Sequence, residues 1–372
     1  MIPTPPPHAA GASSGASRHV GPALLEVEGL TVKLPVQGSY RTVLRDVSFQ
    51  VEAGRTLGIV GESGSGKSMT VRTLDRLLPD GAHVTGSVRF DGKEVFALKG
   101  EQLRAYRAED VAMIFQDARA YTNPVRRVGD FLTEALRTND RMPKHAAMKR
   151  AVDLLVEVGI NDPERRLRQY PHELSGGLLQ RVMIAAAVAV RPRLILADEP
   201  TTALDVTTQA EVMAILGRMQ SEYGLAMVFI THDLELAGAV CDDTMVLYAG
   251  QVLEHQASRS LAHDPLHPYT AALMQARPEI DRRVDRLPAI PGHPTTAYEA
   301  PVGCPFAPRC RFVQDACREQ TPPLIPIETI TVGAPQGTGV PQGLSRCRRM
   351  PELRGKLFEP VEVVEVVEEA QS

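Results

Sequence analysis

Gly61-Glu62-Ser63-Gly64-Ser65-Gly66-Lys67-Ser68 decides the fold of this chain, and it directly follows the short apolar run Leu57–Val60. It matches the pattern G-x-x-x-x-G-K-[ST], in which glycines let consecutive backbone N–H groups point at phosphate oxygens. A helix predicted over Ser68–Leu78 directs its positive N-terminus at the same point. The pattern therefore predicts a phosphate-binding loop. Lys67 is predicted to contact the β- and γ-phosphates, and the Ser68 hydroxyl to bind Mg²⁺. The other predicted nucleotide contacts in the loop are Gly61, Ser63, Gly64 and Gly66.

Two further apolar runs of strand length end in polar residues. Leu194–Ala197 is followed by Asp198 and Glu199, and Met227–Ile230 is followed by a threonine and His232. This layout is typical of a parallel sheet buried on both faces, with ligand groups at the carboxyl ends of its strands. Because neighbouring strand residues point to different sides, Asp198 is predicted to organise Mg²⁺ and Glu199 to orient the attacking water. His232 is predicted to contact the γ-phosphate, although a lone histidine after a strand is more often structural.

A second phosphate-binding surface is predicted at Ser175-Gly176-Gly177, before a helix predicted over Gly177–Val190. A serine cap and two glycines expose backbone donors at a positive helix end. One nucleotide does not need two such surfaces from one chain, so this one is expected to serve the nucleotide of another subunit. Asp205 ends a turn before a helix predicted over Val206–Tyr223, either as a loop crossing to that partner or as a simple cap. Gln116, at another strand end, carries little information alone.

Composition excludes several classes. The 372 residues are 43% hydrophobic, so the chain can bury a substantial core. A formal charge of −4 and the absence of tryptophan argue against a nucleic-acid partner. Residues 1–22 lack the apolar core of a secretory signal and are predicted to be a flexible leader. The longest apolar run, Val182 to Val190, is too short to span a bilayer, which takes about 20 residues.

The motifs together resemble the ATP-binding-cassette (ABC) ATPases. The resemblance covers about residues 24–255 and is carried by Gly61–Ser68, Gln116, the stretch His172–Gly177, the run Leu194–Asp205 and His232. It implies an α/β P-loop NTPase cassette: a mostly parallel sheet, an antiparallel β subdomain and a helical subdomain at about 117–190, within a nucleotide-binding domain over 23–255. It further implies a Walker A loop at 61–68, a Q-loop glutamine at 116 and a signature motif at 174–177. A Walker B pair at 198–199, a D-loop aspartate at 205 and a switch histidine at 232 complete the implied set.

The resemblance also assigns partners and further contacts. In this family two cassettes dimerise head to tail, so Ser175, Gly176, Gly177 and Asp205 are expected to contact the ATP of the second subunit. Gln116 joins Ser68 and Asp198 as an expected Mg²⁺ contact, and Gln116, Glu199 and His232 are the expected catalytic residues. The family's adenine-stacking aromatic is expected at Tyr40.

The carboxy-terminal third of the chain indicates which kind of ABC ATPase this sequence resembles. Prolines become dense after Gly250, which predicts a separate small module of short elements over 256–350, followed by an acidic tail over 351–372. The stretches His263–Thr270 and Gly303–Cys310 resemble the extension of ATPase subunits in bacterial oligopeptide, dipeptide and nickel importers. This resemblance implies a peripheral subunit at the cytoplasmic face of the cell membrane. Its expected partners are two permease subunits and, indirectly, an extracytoplasmic binding protein.

Two other classes of function remain as alternatives. One is a soluble ABC ATPase acting on DNA or ribosomes, but such proteins usually carry two cassettes or a long coiled-coil insertion. The other is a GTPase, for which no Asn-Lys-x-Asp guanine-reading motif is found. Nickel rather than peptide is the alternative solute for the importer.

Four of the five cysteines fall near the carboxy terminus, at Cys304, Cys310, Cys317 and Cys347. Four thiolates suffice for tetrahedral zinc or for a cubane, so the number of ligands does not decide between them. The spacing lacks the C-x₂-C pairs typical of zinc ribbons, and some relatives with this extension carry an iron–sulfur centre. A [4Fe–4S] cluster is therefore predicted, with Zn²⁺ or four unconnected thiols as alternatives. Because it lies in a different module from Gly61–Ser68, ATP hydrolysis is expected not to need its redox chemistry.

Overall fold

The computed structural model describes residues 23–202, 204–261, 263–276, 289–327 and 343–358. The predicted leader over 1–22, and residues 359–372 of the predicted tail, lie outside this part. The strands are β1 (Ala23–Val36), β2 (Ser39–Glu52), β3 (Thr56–Val60), β4 (His83–Phe90), β5 (Lys93–Glu94), β6 (Val111–Ile114), β7 (Leu194–Asp198), β8 (Ala226–Thr231), β9 (Asp243–Tyr248), β10 (Gln251–Ala257), β11 (Ile325–Ile327) and β12 (Gly343–Ser345). The α-helices are α1 (Lys67–Leu74), α2 (Gly100–Ala105), α3 (Val128–Thr138), α4 (Lys144–Glu157), α5 (Pro163–Arg168), α6 (Gly176–Ala189), α7 (Val206–Tyr223), α8 (Leu234–Val240), α9 (Ser258–Leu261), α10 (Pro268–Gln275), α11 (Ala316–Glu319) and α12 (Met350–Leu353).

The central sheet carries eight strands in the order β11-β12-β10-β9-β3-β8-β7-β6. The pairs from β9 through β3, β8 and β7 to β6 are all parallel, whereas β10, β11 and β12 pair antiparallel. Every residue of β3, β7 and β8 is buried, which explains why these strands appear in the sequence as continuous apolar runs. The predicted mostly parallel sheet is confirmed.

An antiparallel sheet in the order β2-β1-β4-β5 packs beside the central sheet. Val27 of β1 pairs with Phe49 of β2 and Val88 of β4, and all three belong to one buried cluster with Ile59 of β3. Apolar residues on one side of this sheet thus bury surface against one of the two buried faces of the central sheet. Residues 24–60 and 83–96 were predicted to be antiparallel. This is confirmed for β1, β2, β4 and β5, whereas β3 pairs in parallel with β8 and β9.

Four helices, α3 to α6, lie between β6 and β7 in the chain and share one apolar cluster. Leu132 of α3, Leu154 of α4 and Val182 of α6 are fully or almost fully buried in it. Helix α6 is apolar on most sides, because it packs both on these helices and on β6. None of the described helices is both long and apolar enough to cross a bilayer.

Helix α1 ends at Leu74, four residues before the predicted end. The Tyr106 hydroxyl donates a hydrogen bond to the Leu74 carbonyl at 3.0 Å, and the Arg107 guanidinium donates to the carbonyl of Asp75. Arg76 then adopts a left-handed conformation with φ of 54°. Carbonyls that would otherwise continue the helix are therefore capped by side chains from a distant segment.

The carboxy-terminal segment over 256–350 was predicted to be a separate small module, and that domain division stays a prediction. Its two short strands nevertheless belong to the central sheet. β10 pairs with β9, β12 pairs with β10, and β11 pairs with β12, so the segment continues the central sheet. The Glu254 carboxylate of β10 is fully buried and accepts hydrogen bonds from the Leu266 amide and the Gln256 side chain. Burial raises the pKa of Glu254 to about 7.

Candidate nucleotide site

The loop between β3 and α1 is so closely surrounded that only glycine fits at two positions. A Cβ at Gly61 would lie 2.1 Å from the Leu247 carbonyl oxygen of β9. A Cβ at Gly66 would lie 2.7 Å from the Leu44 side chain, and Gly66 caps α1 with a φ of 105°. The loop backbone is thus held against β2 and β9, with its N–H groups ahead of the helix start.

Lys67, the first residue of α1, lies inside the loop that it follows. Its Nζ donates to the carbonyls of Gly61 at 2.8 Å and Glu62 at 3.2 Å, and only 6% of its side chain is exposed. Burial lowers the pKa of Lys67, although nearby carboxylates oppose the shift. An ammonium group in this position faces any phosphate held by the loop.

Glu199 is the point on which the other polar groups converge. Its carboxylate lies 3.6 Å from Lys67 Nζ, accepts from Gln116 Nε2 at 3.0 Å and from Thr202 Oγ1 at 2.9 Å, and lies 3.9 Å from His232 Nδ1. Glu199 leaves β7 in a left-handed conformation with φ of 46°, which costs a non-glycine residue of the order of 1–3 kcal/mol. Its contacts with three separate segments hold it there.

Asp198 and Ser68 form the pair of oxygen donors that suits Mg²⁺. The Ser68 hydroxyl donates to Asp198 Oδ1 at 2.8 Å, and Asp198 is 1% exposed. Burial raises the pKa of Asp198, with the Ser68 hydrogen bond opposing the shift. Hydroxyl and carboxylate oxygens are the hard ligands that Mg²⁺ prefers, so these residues fit the ion.

The Ser-Gly-Gly surface lies in a different cavity. Ser175 caps α6, its hydroxyl accepting from the Leu178 amide, and Asp205 caps α7, accepting from the amide and hydroxyl of Thr208. The cavity has a volume of about 290 Å³ and includes Gly176 in its lining. It shares no lining residue with the cavity of about 390 Å³ at the phosphate loop. One copy of the chain thus carries two separate cavities, one at the phosphate loop and one at the Ser-Gly-Gly surface.

The phosphate-loop cavity is lined by Val43, Ser63, Gly64, Ser65, Gly66, Lys67, Ser68, Met69, Gln116, Glu199, His232, Ala297 and Tyr298. Tyr40 is not among them. It is 58% exposed and makes an edge contact with His83, with ring centroids 6.1 Å apart. No motif marks Ala297 or Tyr298 in the sequence, since both lie in the proline-dense segment that carries no local pattern.

The carboxy-terminal segment contacts the phosphate loop directly. Arg309 forms a two-bond ion pair with the Glu62 carboxylate at 2.6 and 3.2 Å, with only 4% of the arginine side chain exposed. It also donates to the Tyr248 hydroxyl, and the Glu62 amide donates to the hydroxyl of Tyr269 at 2.9 Å. The segment predicted to be a separate module is thus in direct contact with the phosphate loop. Arg309 and Glu62 are 247 positions apart.

The four carboxy-terminal cysteines line one small cavity together, although they come from separate segments. The lining includes Cys304, Cys310, Cys317 and Cys347. Burial raises the pKa of Cys310 and Cys347 to about 12. Within the described ranges, no group of three or more His, Cys, Asp or Glu side chains is placed so that it could hold a metal ion. The predicted cluster and its zinc alternative therefore stay predictions.

The fold, the phosphate loop and the Ser-Gly-Gly surface together define a P-loop nucleoside triphosphatase of the cassette type. The family model described as "ABC transporter" matches residues 44–202, and the one described as "Oligopeptide/dipeptide transporter, C-terminal region" matches residues 253–317. The oligopeptide transport ATP-binding protein OppD of Haemophilus influenzae is 43% identical over 295 residues, covering 79% of this chain and 91% of that protein. OppD of Escherichia coli is also 43% identical, over 302 residues, with 81% and 89% covered.

A solved structure also matches the cassette part of the chain. A dimeric post-hydrolysis state of the ATP-binding cassette MJ0796 bound to ADP and Pi matches with a TM-score of 0.57 and 27% identity, over 63% of this chain and 99% of that one. The present chain therefore belongs to the ABC transporter ATP-binding proteins, in the branch that carries the oligopeptide/dipeptide transporter C-terminal region. It is an ATPase.

Replacing Arg309 by methionine should destabilise the protein and weaken ATP binding, because it leaves the Glu62 carboxylate beside the loop without its cation. We expect the unfolding free energy to fall by about 3 kcal/mol, the order found when one partner of a buried pair is removed. Thermal unfolding and an ATP titration measure the two effects.

The matched control is Arg126→Met, which breaks an exposed ion pair with Glu134 and should cost about 0–1 kcal/mol. The double variant Arg309→Met with Glu62→Gln should recover part of the loss. Unchanged stability and ATP affinity in Arg309→Met would mean that the pair does not support the loop.

Proposed function

We propose that this chain is the ATP-hydrolysing subunit of an importer of dipeptides or oligopeptides, bound to two permease subunits at the cytoplasmic face of the membrane. The observation that carries the proposal is the division of the nucleotide machinery into two cavities on one chain. A motor built this way completes its site only when a second cassette docks, which couples ATP binding to a change in the distance between subunits. An extracytoplasmic binding protein would deliver the solute.

In the first half-site, each residue has a role that follows from its contacts. Lys67 exchanges its bonds to the loop carbonyls for phosphate oxygens, and Ser68 and Asp198 hold Mg²⁺, which neutralises phosphate charge when bound. Glu199 accepts a hydrogen bond from the attacking water and orients it at the γ-phosphate. Gln116 and His232, both next to the Glu199 carboxylate, would position that water and contact the γ-phosphate. Gln116 would also be a ligand of Mg²⁺.

In the second half-site, Ser175, Gly176, Gly177 and Asp205 meet the triphosphate of the partner cassette. Support comes from the exposed amides at the start of α6, whose positive end faces the cavity. A Cβ at Gly176 would meet nothing within 4 Å in its own chain, so space remains there for a partner's ligand. The partner is a second copy or a related cassette.

Peptide is favoured over nickel as the solute, and a transporter over a soluble ATPase. The matched carboxy-terminal region is described by oligopeptide and dipeptide transport, and both OppD relatives are named for oligopeptide transport. The solute passes through the permeases, so the chain acts on it through ATP hydrolysis alone.

We also propose that the four carboxy-terminal cysteines hold a [4Fe–4S] cluster, with Zn²⁺ as the alternative. Support comes from their shared cavity, to which residues 304–317 contribute three cysteines and a separate stretch contributes Cys347. Thiolate is the usual protein ligand for such clusters. A bound cluster would join these stretches, in a segment with few buried apolar residues of its own.

Glu199→Gln should keep ATP binding while slowing hydrolysis at least ~100-fold, the range for loss of a group that positions or deprotonates the nucleophile. The variant should then accumulate as an ATP-stabilised dimer, seen by size-exclusion chromatography with and without MgATP.

Adding Gly176→Asp to Glu199→Gln should abolish that dimer, because a carboxylate would face the partner's triphosphate. Since a Cβ at this position meets nothing within 4 Å in its own chain and the phosphate loop lies in another cavity, ATP binding to the monomer should persist. Normal turnover in Glu199→Gln would remove Glu199 from the catalytic role, and a dimer that tolerates Gly176→Asp would contradict the shared site.

Cells whose copy of this chain carries Lys67→Ala should lose uptake of a labelled tripeptide, because the loop can no longer bind the phosphates productively. Uptake of ⁶³Ni²⁺ by the same cells serves as the control and should stay unchanged. Loss of nickel uptake with normal peptide uptake would reverse the assignment of the solute.

Anaerobic purification should give brown protein absorbing near ~400 nm, with iron and sulfide in equal amounts, if the four cysteines bind a cluster. Cys317→Ser should weaken the colour, whereas Cys241→Ser should not. Cys241 lies against Gly58 of β3 and does not line the shared cavity. Colourless protein with one equivalent of zinc would support the alternative.

A further inference from the structure

The phosphate-loop cavity has an apolar side that the polar contacts described above leave unused. Val43 of β2, Ala297 and Tyr298 line it there. Tyr298 supplies the one phenol or phenyl ring in the described lining, and 52% of the residue is exposed. A half-exposed aromatic ring beside a phosphate site can pack against the part of the ligand to which the phosphates are attached.

The apolar side of the cavity adjoins the glycines of the phosphate loop. The Glu199 carboxylate lies at the opposite end of the cavity. A Cβ at Gly66 would lie 3.2 Å from the Val43 carbonyl oxygen, and one at Gly64 would lie 3.9 Å from Thr296 Cγ2. Glu199, in contrast, approaches the ammonium group of Lys67. A triphosphate whose terminal group lies between Lys67 and Glu199 therefore directs its base toward Tyr298.

The turn that presents Tyr298 is fixed before any ligand binds. The Thr295 amide donates to the Tyr248 hydroxyl at 3.1 Å, and the Thr296 hydroxyl donates to the Glu299 carboxylate at 2.8 Å. Ala297 is buried, with its Cβ 3.0 Å from the point where a Cβ on Gly250 would lie. The backbone that carries Tyr298 is therefore already ordered, so the backbone has little entropy to lose on binding, which favours affinity.

We infer that Tyr298 is the platform on which the purine base of ATP stacks, with Ala297 and Val43 packing beside the base. The inference rests on the proposed function, because it takes the phosphate loop as the site of MgATP. Aromatic rings bind bases through their π-faces, and loss of one such platform typically weakens binding about tenfold. Tyr40 is the rival, and the structure places it outside the cavity, against His83.

The absence of tryptophan from the chain allows a direct test in the full-length protein. Tyr298→Trp introduces a single tryptophan, whose emission should be quenched on titration with MgATP as the base stacks on the indole. Phe358→Trp places the probe on another exposed aromatic that does not line the cavity, and its emission should not respond. Quenching in Tyr40→Trp with none in Tyr298→Trp would overturn the inference.

Binding affinities for ligands with and without a base separate the contribution of the base from that of the phosphates. Tyr298→Ala should raise the Kd for MgATP about tenfold while leaving the Kd for magnesium triphosphate, which has no base, unchanged. Tyr298→Phe should bind ATP like the wild type. Equal ATP affinity in Tyr298→Ala and the wild type would refute the platform.

Lys67→Ala separates a failure of the phosphate site from a failure of the base platform. It should weaken binding of both ATP and triphosphate. Unchanged binding of both ligands would refute the phosphate site itself, and with it the inference. Normal sensitivity to Lys67→Ala with no effect of Tyr298→Ala would refute the base platform alone.

Discussion

The close approach of the phosphate-loop backbone to the strands around it is the constraint on which the site depends. Gly61 lies against the Leu247 carbonyl and Gly66 against Leu44, with no room for a Cβ at either position. This contact brings β2 and β9 to the start of α1 and fixes the direction of the loop amides. The buried strand β3 supplies the rigid base, since it pairs with parallel neighbours on both sides.

The buried charge of Lys67 beside the loop is balanced by nearby groups. The Lys67 ammonium is almost wholly buried, and two loop carbonyls and the Glu199 carboxylate surround it. A triphosphate brings oxygens that can replace these partners, so nucleotide binding exchanges one set of contacts for another without leaving a buried charge unpaired. In the proposed mechanism this exchange frees Glu199 to orient water, with Gln116 and His232 next to its carboxylate in the ligand-free structure.

Much of this could be predicted from local patterns. The glycine loop, the strand ends at Asp198 and His232, and the caps at Ser175 and Asp205 each depend on residues close together in sequence. What could not be predicted depends on distant partners. Helix α1 stops where Tyr106 caps it, and the position of Tyr298 depends on a buried hydroxyl from β9. The placement of Arg309 against Glu62 has no sequence pattern, because one ion pair leaves no periodicity.

That last contact has a consequence for the order in which the protein is made. Synthesis proceeds from the amino terminus, so the phosphate loop leaves the ribosome long before Arg309 and the strands that extend the sheet beyond β10. Until they arrive, Glu62 has no cation and β10 has an open edge, which invites pairing with other chains. The phosphate loop is thus made early but completed late. A chain cut short before Ala297 would lack part of the cavity lining and the Arg309 contact to the loop.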